Sequence, residues 1–307
     1  MMRKLGIAIV KKTQKDDTKQ GAIAAVGAYG LWGVFPLLFR LLDGVNPVLI
    51  VAHRVVWSLL FVGSILKIQG RMGEVSSALR DRRTLVVIFL SALLLAANWL
   101  IFIWAVENGR VLDVSLGYFI NPLVNVALGM IFLGERQNFL QWVAIFVAII
   151  AMVIQTIGLG SLPIVPLSLA ITFGLYGFLR KTVNIGSAPG LFIETLLMLP
   201  LALAYLVYVF ISVGAGVHAD PIKMTYLVLT GPLTAGALIM FAFAAKRLRL
   251  TTIGMFQYIA PSMHFITAVW LFSEPINSMR VISFSLIWIS LAIYTFDNLK
   301  NRPVEVV

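Results

Sequence analysis

Long apolar runs constrain the fold of this chain more than any other feature of its sequence. Ten such runs recur, and a run of about 17 to 25 residues is long enough to cross about 30 Å of hydrocarbon as an α-helix. They cover residues 21–42, 46–67, 84–106, 111–133, 138–157, 163–180, 189–212, 224–245, 250–272 and 279–297. Lipid offers the backbone no hydrogen-bond partners, and the runs lack the two-residue alternation of barrel strands. The sequence therefore predicts an all-α polytopic membrane protein with ten transmembrane helices.

The positive charge of the chain follows this topology. The 307 residues are 60% hydrophobic and only 12% charged, yet the formal net charge is +11. With the N-terminus placed inside, 19 of the 24 Lys and Arg residues, Arg180 among them, fall on inner segments, and Arg54 falls within a span. The outer side keeps four, which are Arg40, Arg110, Lys223 and Arg280. By the positive-inside rule, both termini are predicted to be cytoplasmic, and the basicity does not indicate nucleic-acid binding.

Two weak internal repeats divide the chain into halves. An offset of 139 residues aligns residues 110–138 with 249–277, and it pairs Arg110 with Arg249, Pro122 with Pro261, Glu135 with Glu274 and Asn138 with Asn277. An offset of 144 aligns GLWG at 30–33 with GLYG at 174–177. Because each half holds five spans, the second half enters the membrane from the opposite side, so the repeat is inverted. Inverted repeats are typical of transporters that work by alternating access.

The predicted organisation has four parts. Residues 1–20 form a cytoplasmic basic tail that touches anionic lipid, and they lack a signal-peptide core. Residues 21–157 form the first five-helix repeat, residues 163–297 form the second, inverted repeat, and residues 298–307 form a cytoplasmic tail.

Ionisable side chains inside a span are functional candidates, because burying a charge in hydrocarbon costs about 2.5–3.5 kcal/mol on insertion scales. Arg54 is the strongest, since it stays charged and lies roughly 10 Å below the outer boundary at 1.5 Å per residue. It is predicted to meet an anionic group, and snorkelling is the alternative. Glu194 is predicted to meet a cation or proton from the inner side, without an ion pair to Arg54; stabilisation by the helix dipole is its alternative.

Histidines and uncharged polar residues complete the predicted substrate cavity. His53 and His264 lack other histidines or carboxylates at ligand spacing, which favours structural hydrogen bonding over a proton relay. The candidate cavity residues are Arg54, His53, Trp32, Asn98, Tyr118, Asn121, Gln257, Tyr258 and Glu194. Through the repeat, Tyr118 corresponds to Gln257 and Asn125 to His264. Hydrogen bonding between helices explains any one of these polar residues equally well.

Pro122 and Pro261 lie at equivalent places in the two halves, and each is predicted to kink its helix by opening the backbone ladder four residues back. Such kinks suit a rocking or gating motion, although proline is also common in transmembrane helices.

The chain lacks the motifs of an ATP-driven pump or a membrane hydrolase. It has no cysteine, no Gly-rich phosphate loop ending in Lys-Ser/Thr, no HExxH and no His-carboxylate metal pattern. We therefore predict no catalytic residue, no metal and no cofactor, and transport driven by a gradient or by none.

Several strings resemble the RarD-like permeases of the EamA-type drug/metabolite transporter superfamily, from about residue 20 to 300. They are AHRVVWS at 52–58, NWLIFIWAVENGRVLDVSLGYFINPL at 98–123, GERQNFLQWVA at 134–144, GLYGFLRK at 174–181, GLFIETLLMLP at 190–200, FQYIAPS at 256–262 and SEPI at 273–276. The resemblance implies ten helices in two EamA-type repeats, a bacterial inner-membrane location and secondary transport of small organic molecules. It also implies a link to chloramphenicol sensitivity.

These observations together predict a secondary transporter, an exporter or permease, that moves a small polar organic metabolite or drug across the inner membrane by alternating access. Its expected partners are the small-molecule substrate, H⁺ or Na⁺ as a coupling ion, and membrane lipid, with no nucleic acid; a monomer is compatible with the sequence. A flippase for a lipid-linked substrate is the main alternative, and a membrane-embedded enzyme is the weaker one.

Overall fold

The computed structural model describes residues 2–42, 44–107, 111–159, 164–214, 216–270 and 278–300. These residues form twelve α-helices and one short 3-10 helix, Gly216–Ala219, and they contain no β-strand. The helices are α1 Met2–Arg40, α2 Pro47–Ile68, α3 Met72–Arg80, α4 Arg82–Glu107, α5 Val111–Leu133, α6 Phe139–Leu159, α7 Ile164–Thr182, α8 Ser187–Val213, α9 Pro221–Arg247, α10 Leu250–Phe256, α11 Ile259–Trp270 and α12 Ser278–Lys300.

The all-helical prediction is confirmed. Among the described residues, six helices are long and apolar enough to cross a membrane by length and composition, in α1, α2, α4, α7, α8 and α9. Shorter apolar stretches lie in α5, α6 and α12, at Gly117–Leu133, Phe139–Ile154 and Val281–Tyr294. The chain is therefore a multi-pass membrane protein, while the count of ten spans stays a prediction.

Two helix starts are encoded in the same way. Asn46 precedes Pro47 at the start of α2, and its side-chain oxygen accepts a hydrogen bond from the Val48 amide at 2.8 Å. Asp220 precedes Pro221 at the start of α9, and its Oδ1 accepts from the two amides that follow the proline, at 2.9 and 3.1 Å. Each cap satisfies backbone donors that have no partner within the helix, and proline fits the first helical position.

The helices differ from the predicted apolar runs in two places. The run 250–272 is not one continuous helix, because the chain breaks at Gln257–Tyr258 between α10 and α11. Pro261 explains the position of the break, since its ring excludes the regular placement of the carbonyl four residues earlier, at Gln257. By contrast, α5 continues through Pro122 as a single helix. The segment between the second and third predicted spans contains an additional helix, α3.

The two halves of the chain interleave. Helix α5 packs on α7, α1 on α9, and α2 on both α8 and α9, while α6 and α12 pack against each other. Glycine makes the closest approach possible: Gly231 of α9 lies directly on the backbone of α2 at Trp57 and Ser58, and Ser58 Oγ donates to the Gly231 carbonyl at 3.0 Å. Small residues at helix interfaces allow this type of packing inside a membrane.

Large apolar side chains cover the outside of the bundle. Helix α8 alone exposes Leu201 at 78% and Ile211 at 77%, and α6 exposes Ile157 at 68%. Exposed apolar surface of this extent is costly in water and matches a hydrocarbon surrounding. The outer faces of these helices therefore face lipid, and the polar side chains lie between helices.

The end of α5 is tied to the start of α10 by one carboxylate. Glu135 accepts hydrogen bonds from the amides of Leu250 and Thr251 and lies 3.8 Å from the Nε of Arg249. Both Glu135 and Arg249 belong to the 139-residue repeat. Their predicted equivalents, Glu274 and Arg110, and also Asn277, lie outside the described residues.

Candidate substrate cavity

A cavity of about 150 Å³ lies between α1, α2, α4, α5, α7, α9 and α11 and reaches the break between α10 and α11. Its lining is mainly aromatic and consists of Tyr29, Trp32, Phe35, Phe39, Arg54, Leu95, Asn98, Trp99, Phe102, Tyr118, Phe173, Leu238, Gln257, Ala260 and Pro261. Phe39 lies at the end of α1, and Arg54 lies eight residues into α2. The cavity is therefore displaced toward the end of the bundle that the charge distribution assigns to the outside.

Arg54 is the cation of this cavity. Its Nε donates a hydrogen bond to Thr234 Oγ1 of α9 at 2.9 Å. Its guanidinium carbon lies 4.8 Å from the centre of the Trp99 ring and 5.8 Å from the Phe35 and Phe39 rings. Within the described part of the chain, no carboxylate lies within the 4.0 Å of an ion pair with it. Aromatic faces compensate part of the charge, and an anion would compensate the rest.

The uncharged polar residues of the cavity also hold helices together. Asn98 Nδ2 donates to the Leu169 carbonyl and to Thr172 Oγ1, both at 3.0 Å, which fixes α4 to α7. Gln257 Oε1 accepts from Asn125 Nδ2 at 2.9 Å, and this bond joins the α10–α11 break to α5. The two roles that the sequence left open, cavity lining and helix packing, coexist in these residues.

The cavity contains repeat-equivalent positions next to the two prolines. Tyr118 lies four residues before Pro122 and Gln257 four residues before Pro261, and both line the cavity. Pro261 also lines it, whereas Pro122 packs its backbone against Gly254 of α10. Proline displaces the carbonyl four residues back, so these positions lie where the helix ladder is weakest.

The two segments related by the 144-residue offset meet in an aromatic cluster at the wall of the cavity, made of Tyr29, Trp32, Phe173, Tyr176 and Phe241. Trp32 and Tyr176 are equivalent in the repeat, and the same offset relates Tyr29 to Phe173. Phe241 of α9 lies between them, with ring centres 5.7 Å from Trp32 and 6.0 Å from Tyr176. Trp32 and Phe173 face the cavity, whereas Tyr176 is not among its lining residues.

His53 lies beside the cavity lining and forms a histidine pair. Its Nε2 lies 3.1 Å from Nε2 of His218 in the 3-10 helix, and Trp57 Nε1 donates to its Nδ1 at 3.2 Å. Because Nδ1 accepts, neutral His53 carries its proton on Nε2 and donates it to His218. His53 therefore makes the structural hydrogen bonds that the sequence interpretation favoured, and one of its partners, His218, is 165 residues away in sequence. The side chain of His264 lies outside the described part of the structure.

Glu194 lies apart from the cavity in a second polar cluster. It is fully buried on α8 and lies 3.7 Å from Nε of Arg180, which is also fully buried. Arg54 and Glu194 therefore belong to separate clusters. Arg180, which the sequence interpretation counted with the inner segments, lies in the last turn of α7 and is fully buried, whereas its neighbour Lys181 donates to the carbonyls of Ala245 and Leu248 near the helix ends.

Two further candidates are buried in helix packing and do not line the cavity. The Asn121 side chain is 1% exposed, and its Oδ1 lacks a hydrogen-bond partner among the described residues. Tyr258 is 1% exposed, and its hydroxyl lies 3.5 Å from the Phe119 carbonyl.

Sequence reasoning missed three residues of these clusters, which are Thr234, His218 and Arg180. Thr234 resembles the other small polar residues of α9, and His218 lies between two predicted spans. Only for Arg180 did the sequence indicate a position inside the bundle, because the predicted apolar run 163–180 includes it as the last residue.

An open depression at the opposite end of the bundle is lined in part by Glu74, Asp81 and Lys246. Its carboxylates already have partners. The hydrogen bond from Arg71 holds the pKa of Glu74 below its usual value. The hydrogen bond from Thr84 lowers the pKa of Asp81, which caps the start of α4. These groups hold loops and helix ends in place, so the aromatic cavity is the better candidate for a substrate site.

Comparisons with known proteins agree with this architecture. The model of the EamA-like transporter family matches residues 19–157. A protein of Vibrio cholerae named "Uncharacterized transporter" is 42% identical over 287 residues, which is 93% of this chain and 95% of that protein. Protein RarD of Escherichia coli is 40% identical over 287 residues, with 93% and 97% covered.

More distant similarities extend the comparison. A protein of Pseudomonas aeruginosa named "Chloramphenicol-sensitive protein RarD" is 28% identical over 285 residues. One crystal structure superposes with a TM-score of 0.70 at 16% sequence identity, covering 93% of this chain and 99% of the other, which shows a shared fold. On the identity and coverage of the RarD and transporter relatives, this chain belongs to the EamA-like transporter family, as a RarD-like permease of the drug/metabolite transporter superfamily.

Proposed function

We propose that the protein is a secondary transporter that moves a small organic anion or zwitterion across the bacterial inner membrane by alternating access. The observation that carries the proposal is Arg54, a permanently charged side chain in an aromatic cavity without a carboxylate partner among the described residues. A buried cation in a membrane protein is retained at a cost of several kcal/mol, which function explains better than packing does.

The cavity limits the shape of the substrate. A volume of about 150 Å³ in another protein accommodates benzene, so the cargo has an apolar body of about that size. The rings of Trp32, Trp99 and Phe102 offer flat apolar surface, and Arg54 offers one anionic position. The preferred substrate is therefore a flat organic molecule with a single carboxylate, sulfonate or phosphate group.

Alternating access draws support from the repeat. The two copies of the aromatic motif pack around Phe241, and the residues before each proline line the same cavity. Two related halves can exchange conformations at similar free energy, which turns an outward-open cavity into an inward-open one. With the positive-inside orientation, both termini are cytoplasmic, and the cavity of this conformation lies on the outer side.

The direction and partners follow from this scheme. Export is the proposed direction, with H⁺ or Na⁺ as the coupling ion and no cofactor. Because a relative from Pseudomonas aeruginosa is named "Chloramphenicol-sensitive protein RarD", chloramphenicol belongs among the compounds to test for transport. A flippase for lipid-linked cargo is disfavoured by the small size of the cavity.

Counterflow in proteoliposomes tests the proposal. Liposomes loaded with unlabelled solute are assayed for uptake of the same labelled solute, across aromatic carboxylates and sulfonates, amino acids, sugars, nucleotides and phosphorylated metabolites. Benzenesulfonate is a useful probe because it stays charged and does not leak as a neutral acid, and neutral benzamide is its control. We expect exchange of the anion and not of the amide.

The matched variants are Arg54→Ala and Arg71→Ala. A hydrogen bond to a charged group contributes about 1.5–3 kcal/mol, so loss of the Arg54 guanidinium should weaken anion exchange about 10- to 150-fold. Arg71 is an exposed arginine outside the bundle, 39% exposed and paired with Glu74, and its loss should change nothing. Equal exchange by the two variants would remove the anion-binding role of Arg54.

A further inference from the structure

Four polar side chains from three helices surround a point inside the bundle, away from the aromatic cavity. Glu194 of α8 and Arg180 of α7 are both fully buried. Ser91 of α4 lies with its Oγ 2.5 Å from Glu194 Oε1, and the hydroxyl of Tyr176 of α7 lies 3.5 Å from Oε2. The carboxyl group therefore has one hydroxyl at each oxygen and a guanidinium beside it.

The ion pair within this cluster is loose. The Arg180 Nε lies 3.7 Å from the Glu194 carboxylate, beyond hydrogen-bond distance, and only Nη2 of Arg180 donates, to the Ser187 carbonyl at 2.9 Å. Its Nε and Nη1 have no acceptor in the described structure. A buried pair that serves stability needs close, fully hydrogen-bonded geometry to offset its desolvation. This pair lacks that geometry, so stability alone does not account for it.

The local hydrogen bonds accommodate both protonation states of the carboxyl group. Ser91 Oγ lies 2.9 Å from the Ile88 carbonyl as well as 2.5 Å from Glu194, but its hydroxyl has a single proton. When Glu194 is ionised, Ser91 donates to it. When Glu194 is protonated, the acid donates to Ser91, and Ser91 donates to Ile88. Rotation of one hydroxyl therefore satisfies either state.

The space for Arg180 is created by a glycine. Gly190 lies one turn before Glu194 on α8, and a Cβ there would overlap the guanidinium of Arg180. The absence of a side chain at Gly190 therefore allows the Arg180 guanidinium to lie against α8, close to the Glu194 carboxylate. When Glu194 takes up a proton, Arg180 loses its counter-charge in a buried place, which disfavours this conformation and favours another.

Tyr176 connects the cluster to the substrate cavity. Its hydroxyl faces Glu194, while its ring packs on Phe241 and on Phe173, with ring centres 6.0 and 5.6 Å away. Phe173 lines the cavity that holds Arg54. A change at Glu194 can thus reach the cavity wall through two contacts.

The groups around Glu194 suit a proton better than a metal cation. Lys246 of α9 is close enough to Arg180 for the two positive charges to repel each other. The ion pair of Arg71 and Glu74 lies at Gly186, just before α8. Helix α2 packs on α8 with Gly63 against Phe192, and the charged residues of α2 are Arg54 and Lys67. The adjacent guanidinium repels any added cation, but a proton forms a covalent O–H bond with the carboxylate, whereas a sodium ion needs several oxygen ligands. Among the described side chains, Glu194 has only the hydroxyls of Ser91 and Tyr176 as oxygen neighbours.

We propose that Glu194 is the coupling site of this transporter and that its ligand is a proton. This proposal rests on the proposed transport function. The Glu194 carboxylate binds one H⁺ from the water on one side of the membrane, which breaks its ion pair with Arg180. After the conformational change, Glu194 returns the H⁺ to the water on the other side. Substrate at Arg54 and proton at Glu194 occupy different sites in the same bundle.

The first test separates exchange from coupling, with Glu194→Gln as the variant and Glu74→Gln, an exposed carboxylate, as the control. Benzenesulfonate counterflow without a gradient measures the substrate site, and uptake under an imposed pH difference measures coupling. We expect Glu194→Gln to retain counterflow and lose all stimulation by the pH difference, while Glu74→Gln retains both. Stimulation that persists in Glu194→Gln overturns the proton site. Absence of counterflow in the wild type contradicts the proposed function instead.

The second test needs no transport. Infrared difference spectra of the purified protein between high and low pH report the C=O stretch of a protonated carboxyl group in a buried place. We expect such a band in the wild type and its loss in Glu194→Gln. The proposal is overturned if the wild type shows no such pH-dependent band, or if the band is still present in Glu194→Gln. This readout remains valid even where the variant cannot be reconstituted into liposomes.

Discussion

Glu135 joins the two halves of the chain, and its removal should lower the stability of the whole bundle. Its Oε1 accepts from the Leu250 amide at 2.6 Å, and its Oε2 accepts from the Thr251 amide at 3.0 Å and the Thr251 hydroxyl at 2.5 Å. Arg249 lies 3.8 Å away as a counter-ion. Glu135→Ala removes the cap of α10 and the ion pair in one step.

The magnitude follows from the number and burial of these bonds. Each hydrogen bond to a charged acceptor contributes about 1.5–3 kcal/mol, but bonds made by one carboxylate are not additive. The Glu135 side chain is 7% exposed and Arg249 is 23% exposed, so water replaces only part of the loss. We expect Glu135→Ala to cost about 3 kcal/mol, which lowers Tm by about 6 °C at about 2 °C per kcal/mol for a long chain.

Thermal unfolding in detergent, followed by tryptophan fluorescence, measures this effect. Glu135→Gln keeps an acceptor oxygen and loses the charge, so it should show about half of the shift. Glu74→Ala is the control, because its partner Arg71 is three residues away on the surface and an exposed pair contributes about 0–1 kcal/mol. A Tm for Glu135→Ala equal to that of Glu74→Ala would refute the reasoning.

Three other substitutions test separate contacts. Gly231→Ala forces a methyl group into Trp57 and should cost about 1–3 kcal/mol in thermal unfolding, whereas Gly236→Ala, with no heavy atom within 4 Å of its added carbon, should not destabilise. Thr234→Val removes the acceptor for Arg54 and should weaken benzenesulfonate binding about fivefold to tenfold, and because it leaves Arg54 Nε without this partner it should also lower Tm by about 2–6 °C. Asp220→Ala should cost about 1 kcal/mol and speed amide hydrogen exchange in the first turn of α9.

Helix content and the depth of Arg54 were predictable from sequence because both depend on local pattern. Apolar runs of membrane length can form only helices in lipid, and the position of Arg54 within a run places it inside the bundle. The residues that contact Arg54 were only partly predictable. Trp99 is a deep tryptophan in its own run, but Thr234 is 180 residues away and carries no distinguishing pattern.

The burial of side chains at helix ends could not be predicted, because the apolar pattern of the sequence stops there. Arg180 and Lys181 are adjacent and equally basic, yet one is fully buried beside Glu194 and the other donates to carbonyls at helix ends. Gly190 leaves room for the Arg180 guanidinium against α8, and this contact is visible only in the folded structure. The pair of His53 and His218 was missed for the same reason, since long-range contacts leave no periodic signal.

Calorimetric titration of benzenesulfonate into the purified wild type and Arg54→Ala tests most directly whether Arg54 holds the transported anion. We expect one site per chain in the wild type and an affinity at least about tenfold lower in Arg54→Ala, since one charge-assisted bond contributes about 1.5 kcal/mol or more. Equal affinities for the two proteins, or binding of benzamide as tight as that of benzenesulfonate, would contradict it.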